Sequence, residues 1–306
     1  MLMRLMPLCL LMATVLSKPL APSLHVEVSI SEIFTKMLSG SELFNEDVSS
    51  GANLLENGRY HEGDIMRSSS SYSTSGGHSR RKRSTMRYDV EYWKDGVVPI
   101  LIKYDSFDDD EIEIITKSIK KIEDHTCIRF PKKRKKDKSY VELRGDLGEG
   151  ECWSYLGRQG GNQTLSLGDG CVIYHYVLHE MLHALGFVHQ HSSPDRDRYI
   201  KIHWSNIDSS SKFSGWFDKY DWNEFDDFGL GYDYYSVMHY SAYVGSKNGK
   251  PTITSRNKKI KIEERMDLSE TDIEKLNILY CVEYVGIKQD GSKYYKFYDK
   301  NKKLKK

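Results

Sequence analysis

The chain has 306 residues, of which 39% are hydrophobic, and a formal net charge of +1. This length suffices for one sizeable domain or two small ones with a filled core. The even charge balance excludes a chain-wide drive towards nucleic acid or membrane surfaces as partners.

The N-terminus, MLMRLMPLCLLMATVLS, sets one arginine before a short apolar run, with small residues following near Ser17 and Ala21. The run is too short for a membrane span and has the layout of a secretory signal peptide over residues 1–17. No other stretch could cross a bilayer, so stable membrane insertion is not expected. Export leaves Cys127, Cys152, Cys171 and Cys281, which favour two disulfides with three pairings open. None has CxxC spacing, which argues against a structural zinc site on thiolates. Asn162, in NQT, is a glycosylation sequon.

Residues 18–66 are moderately apolar, and SEIFTKMLSGSELF suggests an amphipathic helix. RSSSSYSTSGGHSRRKR, residues 67–83, has one tyrosine and no other apolar residue. Such a segment cannot bury enough surface to offset its ordering entropy and is expected to be a flexible linker. It ends in four basic residues, Arg80 to Arg83, accessible to a processing protease cutting between Arg83 and Ser84. Residues 18–83 therefore read as a removable propeptide.

From Ser84 onward the pattern is globular. GVVPILIKYD predicts a buried strand. DDDEIEIITKSIKKIEDHT predicts a helix, with Ile112, Ile115, Ile119 and Ile122 at helical spacing and acids at its N-terminal end. CIRF and YVELR are short strand candidates around a basic surface loop, PKKRKKDK, and QTLSLG is a further strand. LSETDIEKLNILY opens with a capping box, Ser269 with Asp272, and carries Ile273, Leu276 and Tyr280 on its apolar side. A globular unit over 84–285 is expected, followed by a loose basic tail, 286–306.

HEMLHALGFVHQ, residues 179–190, carries the chemistry. Apolar residues at helical spacing predict a helix over 172–185. His179 and His183, four apart, stack one turn above the other and can aim two nitrogens at one ion about 2 Å away. Glu180 is rotated around the axis, where its carboxylate reaches a water on the metal. Gly186 can take the left-handed conformation that ends the helix and turns the chain back. His189 then completes a three-nitrogen site with an open position for water. Five positions at fixed spacing, HExxHxxGxxH, are hard to reach by chance. His175, one turn earlier, is not expected to ligate, because three stacked histidines cannot meet one ion. In YDYYSVMHYSAY, residues 232–243, Met238 supplies an apolar floor and the Tyr240 phenol can reach the metal or an oxyanion beside it.

At these residues the chain resembles the astacin family of secreted zinc endopeptidases, within the metzincins. The resemblance covers residues 84 to about 281: HEMLHALGFVH, SPDRDRY, SVMHY, and CWSYLGRQGGNQTLSLGDGC. It implies an α+β, zincin-like protease of two subdomains: a twisted sheet with the active-site helix above a zinc cleft, and a mostly irregular lower part with a C-terminal helix. It implies pairing of Cys127 with Cys281 and of Cys152 with Cys171. It also implies one Zn2+ held by His179, His183 and His189, Glu180 as general base on the attacking water, and Tyr240 moving to the oxyanion. Upstream, HEGD at 61–64 is similar to the family's propeptide motif, whose aspartate, here Asp64, occupies the metal and silences the precursor. Peptide or protein substrates are expected to add as a strand beside residues 164–167. The processed chain is expected to act as a monomer.

The chain departs from the family pattern at several places. Gln190 stands where a glutamate usually pairs with the new N-terminal amine, here that of Ser84, so a weaker latch is expected. His191, Ser193, His61 and His175 also differ from the usual residues. The competing reading is a secreted binding protein that keeps scaffold and metal but has lost catalysis; intact Glu180 and Tyr240 stand against it.

Overall fold

The computed structural model describes residues 60–66, 90–213, 215–287 and 293–297. The expected signal peptide, the helix near residue 35, the linker with Arg83 and Ser84, and the last residues of the tail lie outside the described residues. In chain order the elements are β1 (Tyr60–His61), β2 (Ile65–Met66), β3 (Ile100–Ile102), α1 (Asp109–His125), β4 (Tyr140–Arg144), β5 (Cys152–Tyr155) and β6 (Asn162–Leu167). They continue with α2 (Tyr174–Ala184), β7 (Ile200–Ile202), α3 (Ser209–Phe213), β8 (Ile253–Ser255), α4 (Glu270–Tyr280), β9 (Val282–Ile287) and β10 (Lys293–Phe297).

A mixed six-stranded sheet runs β1-β2-β5-β6-β4-β3. β6 pairs parallel with β4 and antiparallel with β5, so both its edges are taken. The expectation that substrate adds beside residues 164–167 is therefore corrected. The strand beyond them, β5, carries short β2 on its outer edge in parallel register, Ile65 opposite Ser154. Leu165, Ser166 and Leu167 are all buried, as suits a strand covered on both faces.

α1 starts where the Asp108 side chain accepts from Glu111 N and the Glu111 carboxylate accepts in turn from Asp108 N. Ile115 and Ile122 are its fully buried isoleucines. α2 packs on α1 and on β5 and β6. Every residue from His175 to Ala184 is buried, so α2 is an internal helix covered all round. α4 has the expected capping box of Ser269 and Asp272, and Leu276 enters the same core.

Two main cores result. The first joins α1, α2, α4 and the sheet through Ile122, Leu143, Leu165, Leu182 and Met238. The second gathers Ile200, Trp216, Phe217, Tyr240, Val244 and Ile253 around the β7–β8 pair and long irregular stretches. Disulfides join Cys127 to Cys281 and Cys152 to Cys171. Part of the sequence expected as a loose tail is paired: β10 lies antiparallel to β9, which itself runs two residues past 285. Among the described residues no helix is long and apolar enough to cross a membrane.

Candidate metal centre and active site

α2 ends in a Schellman turn: Phe187 N reaches Leu182 O at 3.0 Å and Gly186 N reaches His183 O at 2.8 Å. Gly186 has φ 98°, and a Cβ there would lie 2.8 Å from the Tyr92 ring, so the position needs glycine. Trp93 Nε1 caps Ala184 O and the Tyr280 hydroxyl caps Leu185 O, both at 2.8 Å. The reversal sends the chain back, and His189 meets the two helix histidines.

His179 Nε2 lies 3.1 Å from the Nε2 of both His183 and His189. Asp64 Oδ2 stands 3.2 Å from His179 Nε2 and 3.1 Å from His189 Nε2, and Oδ1 stands 3.4 Å from His183 Nε2. The four side chains are buried, and their ligand atoms all lie within 4.8 Å of one another. The donor set decides what belongs among them. His179 Nδ1 faces Val237 O at 2.9 Å, His183 Nδ1 faces Phe187 O at 2.7 Å, and His189 Nδ1 faces Glu62 Oε2 at 2.8 Å. An imidazole whose Nδ1 meets an acceptor carries its proton there and leaves a lone pair on Nε2. Three lone pairs and a carboxylate then converge on one point, an arrangement suited to a metal cation. Zinc fits: nitrogens about 2 Å from a tetrahedral ion stand about 3.3 Å apart.

Charge follows this packing. Burial pushes His183 down to about 4. Burial also opposes protonation of His189, but Asp64 and Glu62 overcome it and raise His189 to about 9. Burial would raise Glu62, yet the hydrogen bond and charge of His189 hold it at about 2. Glu180 is buried, its Oε2 has no hydrogen-bond partner, and burial followed by the charge of Asp64 keeps its carboxyl well above the usual range.

The floor beneath the ligands is the turn at Ser236–Met238. Val237 O orients His179, and Met238 O accepts from Gln190 N at 2.9 Å. Asp272, buried at the start of α4, holds this turn by accepting from Ser236 Oγ at 2.6 Å and Val237 N at 2.9 Å. Tyr240 stacks on His191 at 3.8 Å between ring centroids and donates its hydroxyl to the Glu62 carbonyl. His175 stays outside the ligand group, 3.4 Å from Glu264. Gln190 accepts from the buried Lys275 ammonium at 2.7 Å, while Ser84, its expected partner after processing, lies outside the described residues.

Sequence reasoning missed Glu62 and Lys275. Glu62 stands two residues before the singled-out Asp64, but its partner lies 127 residues away. Lys275 points inward from a helix whose sequence marks lysine as solvated.

An internal helix bearing two of three converging imidazoles, with a methionine turn below and two cores meeting at the site, defines a metzincin-type scaffold. Residues 85–281 match the family model Astacin (Peptidase family M12A), and the chain belongs to that family. It is 41% identical over 201 residues to zinc metalloproteinase nas-13 of Caenorhabditis elegans, covering 65% of this chain and 43% of that protein. It is 35% identical over 229 residues to zinc metalloproteinase nas-8 of Steinernema carpocapsae, covering 74% of this chain and 53% of that protein. The chain thus spans about half the length, or less, of these curated relatives. Among solved structures it is similar to high choriolytic enzyme 1, a hatching enzyme zinc-protease from the medaka fish Oryzias latipes. That match has a TM-score of 0.55 and 33% identity, covering 62% of this chain and 93% of that one.

Proposed function

We propose that this chain is an exported zinc-dependent endopeptidase of protein or peptide substrates, made as a latent precursor and acting as a monomer once processed. The observation that carries the reading is the convergence of three histidine Nε2 atoms, with the buried Glu180 on the same helix and its Oε2 without a hydrogen-bond partner. The named relatives, zinc metalloproteinases and a hatching protease, support the same chemistry.

Zinc, when bound by His179, His183 and His189, supplies Lewis acidity that makes water a nucleophile and polarises the scissile carbonyl. Glu180 takes the proton of the attacking water and delivers it to the leaving amine. The Tyr240 hydroxyl, once freed from the Glu62 carbonyl, donates to the oxyanion. Met238 and its turn keep the first ligand in place. The outer edge of β5, released when β2 departs, receives the substrate backbone as an added strand. Asp64 fills the face of the metal centre that water would use, which accounts for latency.

Export through residues 1–17 and cutting by a processing protease between Arg83 and Ser84 rest on the sequence patterns. Asn162 is exposed at the start of β6, which supports its use as a glycan acceptor.

The test is digestion of a peptide library by the processed chain. Cleavage is expected, with loss on chelation and a fall of roughly 10²–10⁴ in kcat for Glu180→Ala. A processed chain that binds zinc and cuts nothing, or equal rates for Glu180→Ala, would establish the binding-protein reading instead.

A further inference from the structure

The three ligand histidines are not held alike. The Nδ1 atoms of His179 and His183 donate to the carbonyls of Val237 and Phe187, both in the protease unit. The Nδ1 of His189 donates to a carboxylate from the upstream segment, Glu62, at 2.8 Å. Glu62 is 1% exposed, and its Oε2 lies 3.4 Å from the His189 backbone N–H. Its own carbonyl takes the Tyr240 hydroxyl. The residue reaches these partners in a strained conformation: Glu62 has φ 53° and Gly63 has φ 89°, two successive left-handed residues that also turn Asp64 towards the imidazoles. A strained, buried acid aimed at the back of a ligand is the arrangement by which a carboxylate fixes an imidazole's tautomer and ring angle.

We propose that Glu62 is a positioning residue of the latent state, and that its carboxylate fixes the third zinc ligand so that the precursor holds zinc more tightly than Asp64 alone explains. Two ligands keep permanent partners, and the third exchanges its partner when the segment leaves. The inference rests on the zinc reading of the site and adds a second regulatory acid to it.

The experiment measures the zinc dissociation constant by competition with a chromophoric chelator, on full precursors carrying Glu180→Ala to prevent self-cleavage. Glu62→Ala is expected to weaken zinc binding by about 10- to 100-fold, and Glu62→Gln, which keeps an oxygen acceptor, by less. The same Glu62→Ala loss is expected in an Asp64→Ala background. Cleavage between Arg83 and Ser84 converts every Glu62 variant into one identical polypeptide, which must bind zinc equally, so a folding defect would be visible there. A Glu62→Ala precursor within twofold of its parent, while Asp64→Ala is weaker, overturns the inference and leaves the protease reading standing. A loss that vanishes in the Asp64→Ala background also overturns it, since Glu62 would then only dock its neighbour. If no precursor, parent included, binds zinc, both readings fall together.

Discussion

Asp64 and Glu180 are buried carboxyls that the site drives in opposite directions. Burial raises Asp64, but the charges of His189 and His183 hold it well below its ordinary value. Burial and that same Asp64 charge hold Glu180 well above its own. On the proposed reading, Asp64 therefore both covers the metal face and disfavours the charged form of the proposed base. Asp64→Ala removes both restraints. The uncut Asp64→Ala precursor should hydrolyse a reporter peptide at least about a hundredfold faster than the parent precursor, the lower end of a proton-transfer contribution. Complete silence would show that another residue enforces latency.

The histidines give the chelator-treated precursor a distinctive pH response. His189 is raised from 6.5 to about 9, so its contribution is full below 6.5 and lost as pH rises through 9. His183 is lowered from 6.5 to about 4, so the folded state loses stability as pH falls from 6.5 towards 4 and the unfolded chain takes up the proton first. Thermal midpoints of the stripped Glu180→Ala precursor should therefore peak near pH 6.5 and decline on both sides. A midpoint that climbs steadily from pH 6.5 to 9 would contradict the assigned His189 environment.

At the scale of elements, the end of α2 is the decisive feature, because one turn both stops the helix and orients a ligand. Phe187 closes the Schellman turn through its N–H and holds His183 Nδ1 through its carbonyl. Gly186→Ala puts a side chain at φ 98° and 2.8 Å from Tyr92. It should cost more than about 1 kcal/mol in denaturant unfolding and weaken zinc binding together. A variant with unchanged stability and affinity would show that the turn relaxes freely.

The turn was legible in the sequence because its parts lie within a dozen residues, and helical period and glycine chemistry are local rules. The capping box at Ser269 and Asp272 was legible for the same reason. The substrate edge was not. QTLSLG reads as a strand, but nothing in it tells whether β4 and β5 flank it on both sides, and CWSY is too short to show an alternation. Lys275 escaped because a lysine on a helix is ordinarily solvated; only tertiary packing brings its ammonium to Gln190.

For the molecule as a whole, residues 60–66 act as a strand and a plug at once. Ile65 and Met66 pair with β5, Ser154 N donates to Asp64 O at 3.0 Å, and Asp64 enters the imidazole cluster. On the proposed reading, latency depends on tethering, which supplies an effective concentration near the millimolar range. A synthetic peptide of residues 60–66 should inhibit the processed enzyme in trans only at comparable concentrations, and the same peptide with Asp64→Asn should be much weaker. Equal inhibition by the two peptides would mean that strand pairing alone obstructs the cleft.

The bond between Cys127 and Cys281 moors the far end of α4, while the near end of that helix grips the methionine turn through Asp272 and the stretch after the third ligand through Lys275. A thiol-rich compartment would cut that mooring and loosen the far end of the helix that braces the centre. The proposed hydrolysis should therefore depend on oxidising surroundings, through a sulfur bridge that lies outside the metal-ligand group.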